Sequence, residues 1–264
     1  MKSKSILTVA ALALTVHCSA VMAQPDTLAS IQSAKKVRVA MDLGLPPYGM
    51  KNDKLEPVGS DVEVAKLLAS DLKAELELVP TTGPNRIPFL TTGKADIVIS
   101  TLAVTPDRAK VIDFTIPYAA VLNVVAAPKN INIKSWADLA GKKIAVTRGT
   151  TNDTAVTKNA PQGTEIVRFD DEATSMTALV SNQLDIVAQS PSFIKTIQDR
   201  NPAKQMEIKF IMQQVAFGIG VPKGDVKMKA WLDDWTKTNL ANGKLNAIYK
   251  KYHGADLPAE ILKP

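Results

Sequence analysis

A two-lobed α/β protein is predicted for this 264-residue sequence on three observations. Short β-branched runs alternate with helix-period segments, which argues for largely parallel sheets. The alternation starts afresh after a long extended run at residues 121–127. The chain behind its leader is also longer than one core of about 100–150 residues encloses.

The leader comes first. Lys2 and Lys4 precede an apolar run over residues 6–16, and Val21-Met22-Ala23 supplies a cleavage pattern, so residues 1–23 read as a secretory signal peptide. A membrane span needs about 20 apolar residues, and His17, Cys18 and Ser19 interrupt this one. Lipid attachment at Cys18 is disfavoured by the bulky His17 before it. Cleavage after Ala23 leaves no cysteine, which excludes disulfides, thiolate metal sites and a cysteine nucleophile. Losing Lys2 and Lys4 takes the formal charge from +6 to +4. Aromatic content is 5%, and the C-terminal lysines are interspersed with Asp225, Asp233 and Asp234, so no nucleic-acid surface is expected.

Residues 37–41 form the first expected strand and 61–72 the first helix. Ser60 and Glu63 suit a capping box there, and Val64, Leu67, Leu68 and Leu72 share one face. Strands follow at 75–79 and 97–99. The second block reads as helix 135–139, strand 143–146, helix from Asn152, strand 164–169, helix from Glu172 and strand 185–188. An extended run at 215–222 then returns the chain to the first lobe, where helices are expected at 226–240 and 244–252. The expected division is a discontinuous first lobe, 24–126 with 219–264, and a second lobe, 127–218. Two crossings make a hinge, and Gly218 and Gly220 serve it either by absorbing backbone rotation or by allowing close strand packing.

In Ser100-Thr101-Leu102-Ala103-Val104-Thr105-Pro106-Asp107-Arg108 a strand ends and a helix begins, with Thr105 as N-cap and Pro106 at the first helical position. Arg108 falls in the first turn. A guanidinium fork beside free backbone NH groups suits a planar carboxylate; the competing reading is an ordinary surface ion pair. Gly149-Thr150-Thr151-Asn152-Asp153 opens a helix in the second lobe, where Thr150 and Thr151 either cap, bind or do both. Both loops follow the carboxyl ends of strands, where α/β sheets hold ligands.

Further segments recur in a recognisable order: Pro46-Pro47-Tyr48, Gly59-Ser60-Asp61-Val62, Arg86-Ile87-Pro88, Gly93-Lys94-Ala95-Asp96, Thr105-Pro106-Asp107-Arg108, Asp113-Phe114, Pro117-Tyr118, Asp138-Leu139, Gly141-Lys142-Lys143, Gly149-Thr150-Thr151 and Asn242-Gly243-Lys244. Over nearly the whole mature chain this set resembles the periplasmic amino-acid-binding proteins of ABC importers, the polar amino acid family (extracellular solute-binding proteins, family 3). The resemblance implies a type II periplasmic-binding-protein fold with a two-segment hinge. It also implies a periplasmic location, a monomer without cofactor or metal, and a membrane permease with its ATPase as partners. By resemblance Arg108 binds the ligand carboxylate, Thr151 adds a second-lobe contact, Ser100 and Thr101 line the first-lobe wall, and Asp42 touches the ligand's distal group.

Three positions depart from the family pattern. Ala103 stands where Ser or Thr is usual, Leu45 where an aromatic ring covers the ligand side chain, and Ser190, beside Gln189, where an aspartate meets the ligand ammonium. Losing that charge-assisted bond forfeits about 1.5–3 kcal/mol. Either the ligand is not an ordinary α-amino acid, or its ammonium meets carbonyl oxygens, Gln189 or Asp42. Asp185 precedes its strand and points to the far end. A cyclohexadienyl or arogenate dehydratase on the same scaffold is the rival reading, with Asp42 as its acid, and a soluble ligand-sensing module is a third. His253 is expected at the surface, and no Ser/His pair or metal cluster can be assembled around it.

Overall fold

The computed structural model describes residues 26–262; the signal peptide expected at 1–23, with Cys18, lies outside the described residues. The first stretch holds α1 (Thr27–Ala34), β1 (Lys36–Met41), β2 (Met50–Lys51), β3 (Pro57–Val58), α2 (Ser60–Asp71), β4 (Glu75–Pro80), α3 (Arg86–Thr91), β5 (Ile97–Val98), α4 (Pro106–Ala109) and β6 (Ile112–Phe114). The second holds β7 (Ala119–Pro128), β8 (Lys143–Thr147), α5 (Thr151–Asn159), β9 (Glu165–Phe169), α6 (Glu172–Val180), β10 (Ile186–Gln189), α7 (Pro191–Arg200) and β11 (Met206–Phe217). The chain then returns through β12 (Gly220–Pro222) to α8 (Val226–Ala241), α9 (Lys244–His253) and α10 (Ala259–Leu262).

Two five-stranded sheets result, one per lobe, ordered β4-β1-β5-β12-β6 and β11-β7-β10-β8-β9. β1 pairs in parallel with β4 and β5, and β8 does so with β9 and β10. The strands entering from the other lobe are antiparallel: β12 pairs with β5 and β6, and β7 with β10 and β11. Ile144 and Val146 pack into one apolar cluster while Ala145 packs into another. With both faces covered, the strand reads as an unbroken apolar run rather than an alternating one.

The division expected at 126/127 falls inside β7, whose pairing with β11 runs from Ala119 to Pro128 in the second sheet. β11 itself begins well ahead of the expected 215. As an edge strand it exposes Glu207, Ile208, Ile211, Gln213 and Gln214, so no alternating pattern marks it. Among the described residues no helix is long and apolar enough to cross a membrane.

The capping box expected at α2 does not form. Gly59 is the N-cap, at φ 135°, and the amides of Ser60 and Asp61 donate instead to the carbonyls of Pro47 and Tyr48, both at 2.9 Å. A Cβ at Gly59 would lie 2.2 Å from the Tyr48 oxygen, so only glycine permits this closure. Ser60 Oγ meets His253 Nε2 at 3.2 Å, and Glu63 accepts from Lys251 and Tyr252. The inward face is as expected, with Val64 and Leu68 buried.

The two crossings run side by side. Thr115 N donates to the Ile219 carbonyl at 3.1 Å, Ile219 N to Thr115 Oγ1 at 3.0 Å, and Tyr118 N to the Phe217 carbonyl at 2.9 Å. A Cβ at Gly218 would lie 3.0 Å from Val104 Cγ2, and one at Gly220 would lie 2.8 Å from Leu102 Cδ2. Neither glycine has a left-handed backbone. Of the two roles considered for them, the structure supports close packing.

Candidate functional site

The loops after β1, β4 and β5 face those after β8, β9 and β10 across a cavity of about 40 Å³. One water needs about 10–15 Å³ on this kind of measure, so the space suits a small solute. Of the residues singled out in the sequence, Leu45, Thr101, Ala103 and Arg108 line it from one lobe and Thr150, Thr151, Gln189 and Ser190 from the other. Asp42 and Ser100 are not in the lining. They brace the loop behind it: Asp42 N donates to Ser100 Oγ at 2.9 Å, and Asp42 Oδ1 accepts from Gly44 N at 2.7 Å.

α4 forms as expected, with Thr105 Oγ1 accepting from Arg108 N at 3.3 Å. The Arg108 guanidinium then donates to the Ala103 carbonyl at 2.9 Å and, across the cleft, to the Gly149 carbonyl at 3.0 Å. Among the described residues no carboxylate pairs with it. Burial, with Arg86 nearby, pushes its pKa down to about 9. A desolvated cation without a counter-ion, anchored on both lobes, is set to receive an anion.

Behind Arg108 the wall is fixed by strain and burial. Thr101 has φ 45°, an uncommon backbone for a β-branched residue. Asp61 holds it there, Oδ2 accepting from Thr101 N at 2.8 Å and Oδ1 from the Tyr118 hydroxyl at 3.0 Å. Burial raises Asp61 to about 6. Arg86, also buried, donates to the Gly83 and Ser100 carbonyls, each at 2.9 Å, and burial lowers its pKa.

The second lobe contributes a group that the sequence reading did not single out. Glu172, the first residue of α6, is buried and lines the cavity. Its Oε2 accepts from Thr147 Oγ1 at 2.6 Å and Gln189 Nε2 at 2.7 Å, and burial lifts its pKa to about 7. Ser190 is the N-cap of α7, its hydroxyl accepting from Phe193 N at 3.3 Å. Thr150 caps α5, accepting from Asp153 N at 3.2 Å, and Thr151 Oγ1 accepts from Asn123 Nδ2 at 2.9 Å.

Where an aromatic cover was missed at Leu45, Tyr48 and Phe217 supply rings in the same lining, edge to face at 5.9 Å. Tyr48 and Arg86 both lie in motifs already noted; Glu172 sits in Asp170-Asp171-Glu172, which reads as a solvated helix start. Asp185 pairs with Lys204 at 3.0 Å, outside the cavity lining. His253 is half-buried rather than fully exposed: its ring stacks on Tyr249 at 4.2 Å and burial pushes its pKa down to about 4. It too lies outside the cavity lining.

Residues 37–255 match the family model for bacterial extracellular solute-binding proteins, family 3. The glutamine-binding protein GlnH of a Bacillus subtilis ABC transporter is 28% identical over 240 residues, covering 89% of this chain and 87% of its own. The histidine-binding periplasmic protein of Salmonella typhimurium is 30% identical over 258 residues, covering 92% and 98%. Among solved structures, an ancestral amino acid-binding protein described as a precursor of cyclohexadienyl dehydratase superposes with a TM-score of 0.76 at 30% identity, covering 86% of this chain and 99% of its own.

Proposed function

This chain belongs to the bacterial extracellular solute-binding proteins of family 3, and from that premise we propose that it is the periplasmic, monomeric binding component of an ABC importer. It captures a small carboxylate-bearing solute, an amino acid or related organic acid, and presents it to a membrane permease and its ATPase. The observation that carries this reading is Arg108: a half-buried guanidinium with no acidic partner among the described residues, held between Ala103 of one lobe and Gly149 of the other. A ligand carboxylate bound there touches both lobes and so selects the closed arrangement. The leader read at residues 1–23 supports an exported location, where such capture is useful.

In this reading the protein is not an enzyme. Glu172 is the specific observation favouring a dehydratase, because an acid raised to about 7 in the cavity could donate a proton. Against it stand the curated relatives, which are named as amino-acid-binding proteins. Turnover of prephenate or arogenate would decide for the enzyme.

A thermal-shift screen of amino acids, their deaminated analogues and other small organic acids identifies binders, since ligand bound to the native state raises its melting temperature. Calorimetry with the best binder then tests the clamp. Arg108→Ala should weaken binding by about 100-fold or more, as loss of a forked charge-assisted contact does. Affinity within about threefold of wild type would sink the clamp.

A further inference from the structure

The second lobe places beside the cavity two acceptors that no described residue fills. Glu172, 4% exposed, receives both of its protein donors on Oε2. Among the described residues none donates to Oε1, and no cation pairs with the carboxylate. Asn152, 6% exposed, lines the same cavity. Its Nδ2 lies 3.4 Å from Gln189 Oε1, which sets the amide so that Oδ1 is the free acceptor, and Oδ1 is buried without a donor. The Gln189 amide is fixed in this orientation, its Nε2 donating to Glu172 Oε2 at 2.7 Å and its Oε1 accepting from Ser190 N at 2.8 Å.

A buried carboxylate oxygen and a buried amide oxygen, both short of donors, call for a cationic group carrying several N–H bonds. First-lobe groups do not meet that need. Against the rise from burial, the Arg86 charge reaches Glu172 and pulls its pKa down, but Arg86 makes no ion pair with it and gives Nε and Nη1 to the Gly83 and Ser100 carbonyls; Asp42, which also senses Glu172, is an acid. Arg108, from the first lobe, offers the opposite charge. Arg108, Asn152 and Glu172 line the same cavity, so one small ligand meets both charges. We propose that Glu172 and Asn152 bind the ammonium group of an α-amino acid whose carboxylate rests on Arg108. This assignment builds on the Arg108 reading and moves the second-lobe charge from position 190, where Ser190 caps α7, to position 172.

Calorimetry at pH 8 decides it, using the twenty standard L-amino acids and, for each binder, the carboxylic acid lacking only the amino group. Wild-type protein should prefer the amino acid by about tenfold or more. Glu172→Gln, checked for folding by circular dichroism, should lose about 10- to 100-fold for the amino acid while barely changing affinity for the deaminated acid. The wild-type comparison stands even where the variant folds poorly. Equal wild-type affinity for the two acids, an unchanged amino-acid affinity in folded Glu172→Gln, or no binding of any of the twenty overturns the assignment. Arg108→Ala separates the two readings: loss of both acids supports the clamp whatever Glu172 does, and retention of both sinks the clamp and the carboxylate half of this assignment, while Glu172→Gln alone decides the ammonium half.

Discussion

Glu172 keeps a carboxyl group out of water with no ion pair among the described residues, and burial, outweighing the pull of Arg86, favours its protonated form. Its ordinary value is 4.5 and its folded value about 7. Between those values the native state holds a proton that the unfolded chain has released. Stability accordingly falls as pH rises through this window and stays lowered above it, by on the order of 3 kcal/mol. Glu172→Gln keeps the acceptor for Thr147 and Gln189 but carries no charge. Without ligand it should melt about 5 °C or more above wild type at pH 8, with the gap closing toward pH 4.5. Scanning calorimetry at the two pH values checks this, and an equal gap at both would remove burial of the charge as the cause. Asp61, also raised by burial, contributes the same slope to both proteins and cancels in the comparison. Arg108 was legible in the sequence because Thr105 and Pro106 announce a helix start three residues earlier. Glu172 was not, since its burial comes from Thr147 and Gln189, which the chain brings to it only through the sheet.

Elements were legible where their signals are local and obscure where closure depends on distant backbone. The first turn of α2 illustrates both. Its apolar face was plain from spacing, but its cap is made by the carbonyls of Pro47 and Tyr48, and Ser60 and Glu63 are spent on α9. Gly59→Ala should cost at least about 2 kcal/mol, because a Cβ would meet the Tyr48 oxygen at 2.2 Å on a backbone that L side chains rarely adopt. Glu63→Ala, which breaks half-exposed contacts, should cost less than about 1 kcal/mol. Urea unfolding of the two variants reads the difference, and the reverse order would restore the capping box. β11 was obscure for a different reason: one solvated face at the sheet edge dilutes the apolar pattern, although its pairing with β7 sets where the second sheet begins.

At the scale of the molecule, closure depends on how nearly the two lobes can touch. A Cβ at Gly83 of the first lobe would lie 3.4 Å from Thr147 Cγ2 and 3.5 Å from Thr150 Cγ2 of the second. One at Gly44 would lie 3.5 Å from the Ala173 Cβ. These are ordinary contacts for one carbon, but they leave no room for a large side chain while the cleft is shut. Gly83 has no left-handed backbone, so a bulky residue is permitted there by the first lobe alone. Gly83→Trp should therefore fold with a melting temperature within about 2 °C of wild type in the absence of ligand, yet hold the lobes apart. Ligand affinity should drop by about tenfold or more, because contacts from the second lobe, at Thr150, Thr151 and Glu172, are no longer brought to the solute. Small-angle scattering with and without saturating ligand reads the closure directly. Wild type should contract on binding and the variant should not. Equal contraction of the two would mean that the cleft closes about an axis that spares Gly83, and the clamp joining Arg108 to Gly149 would then need another geometry.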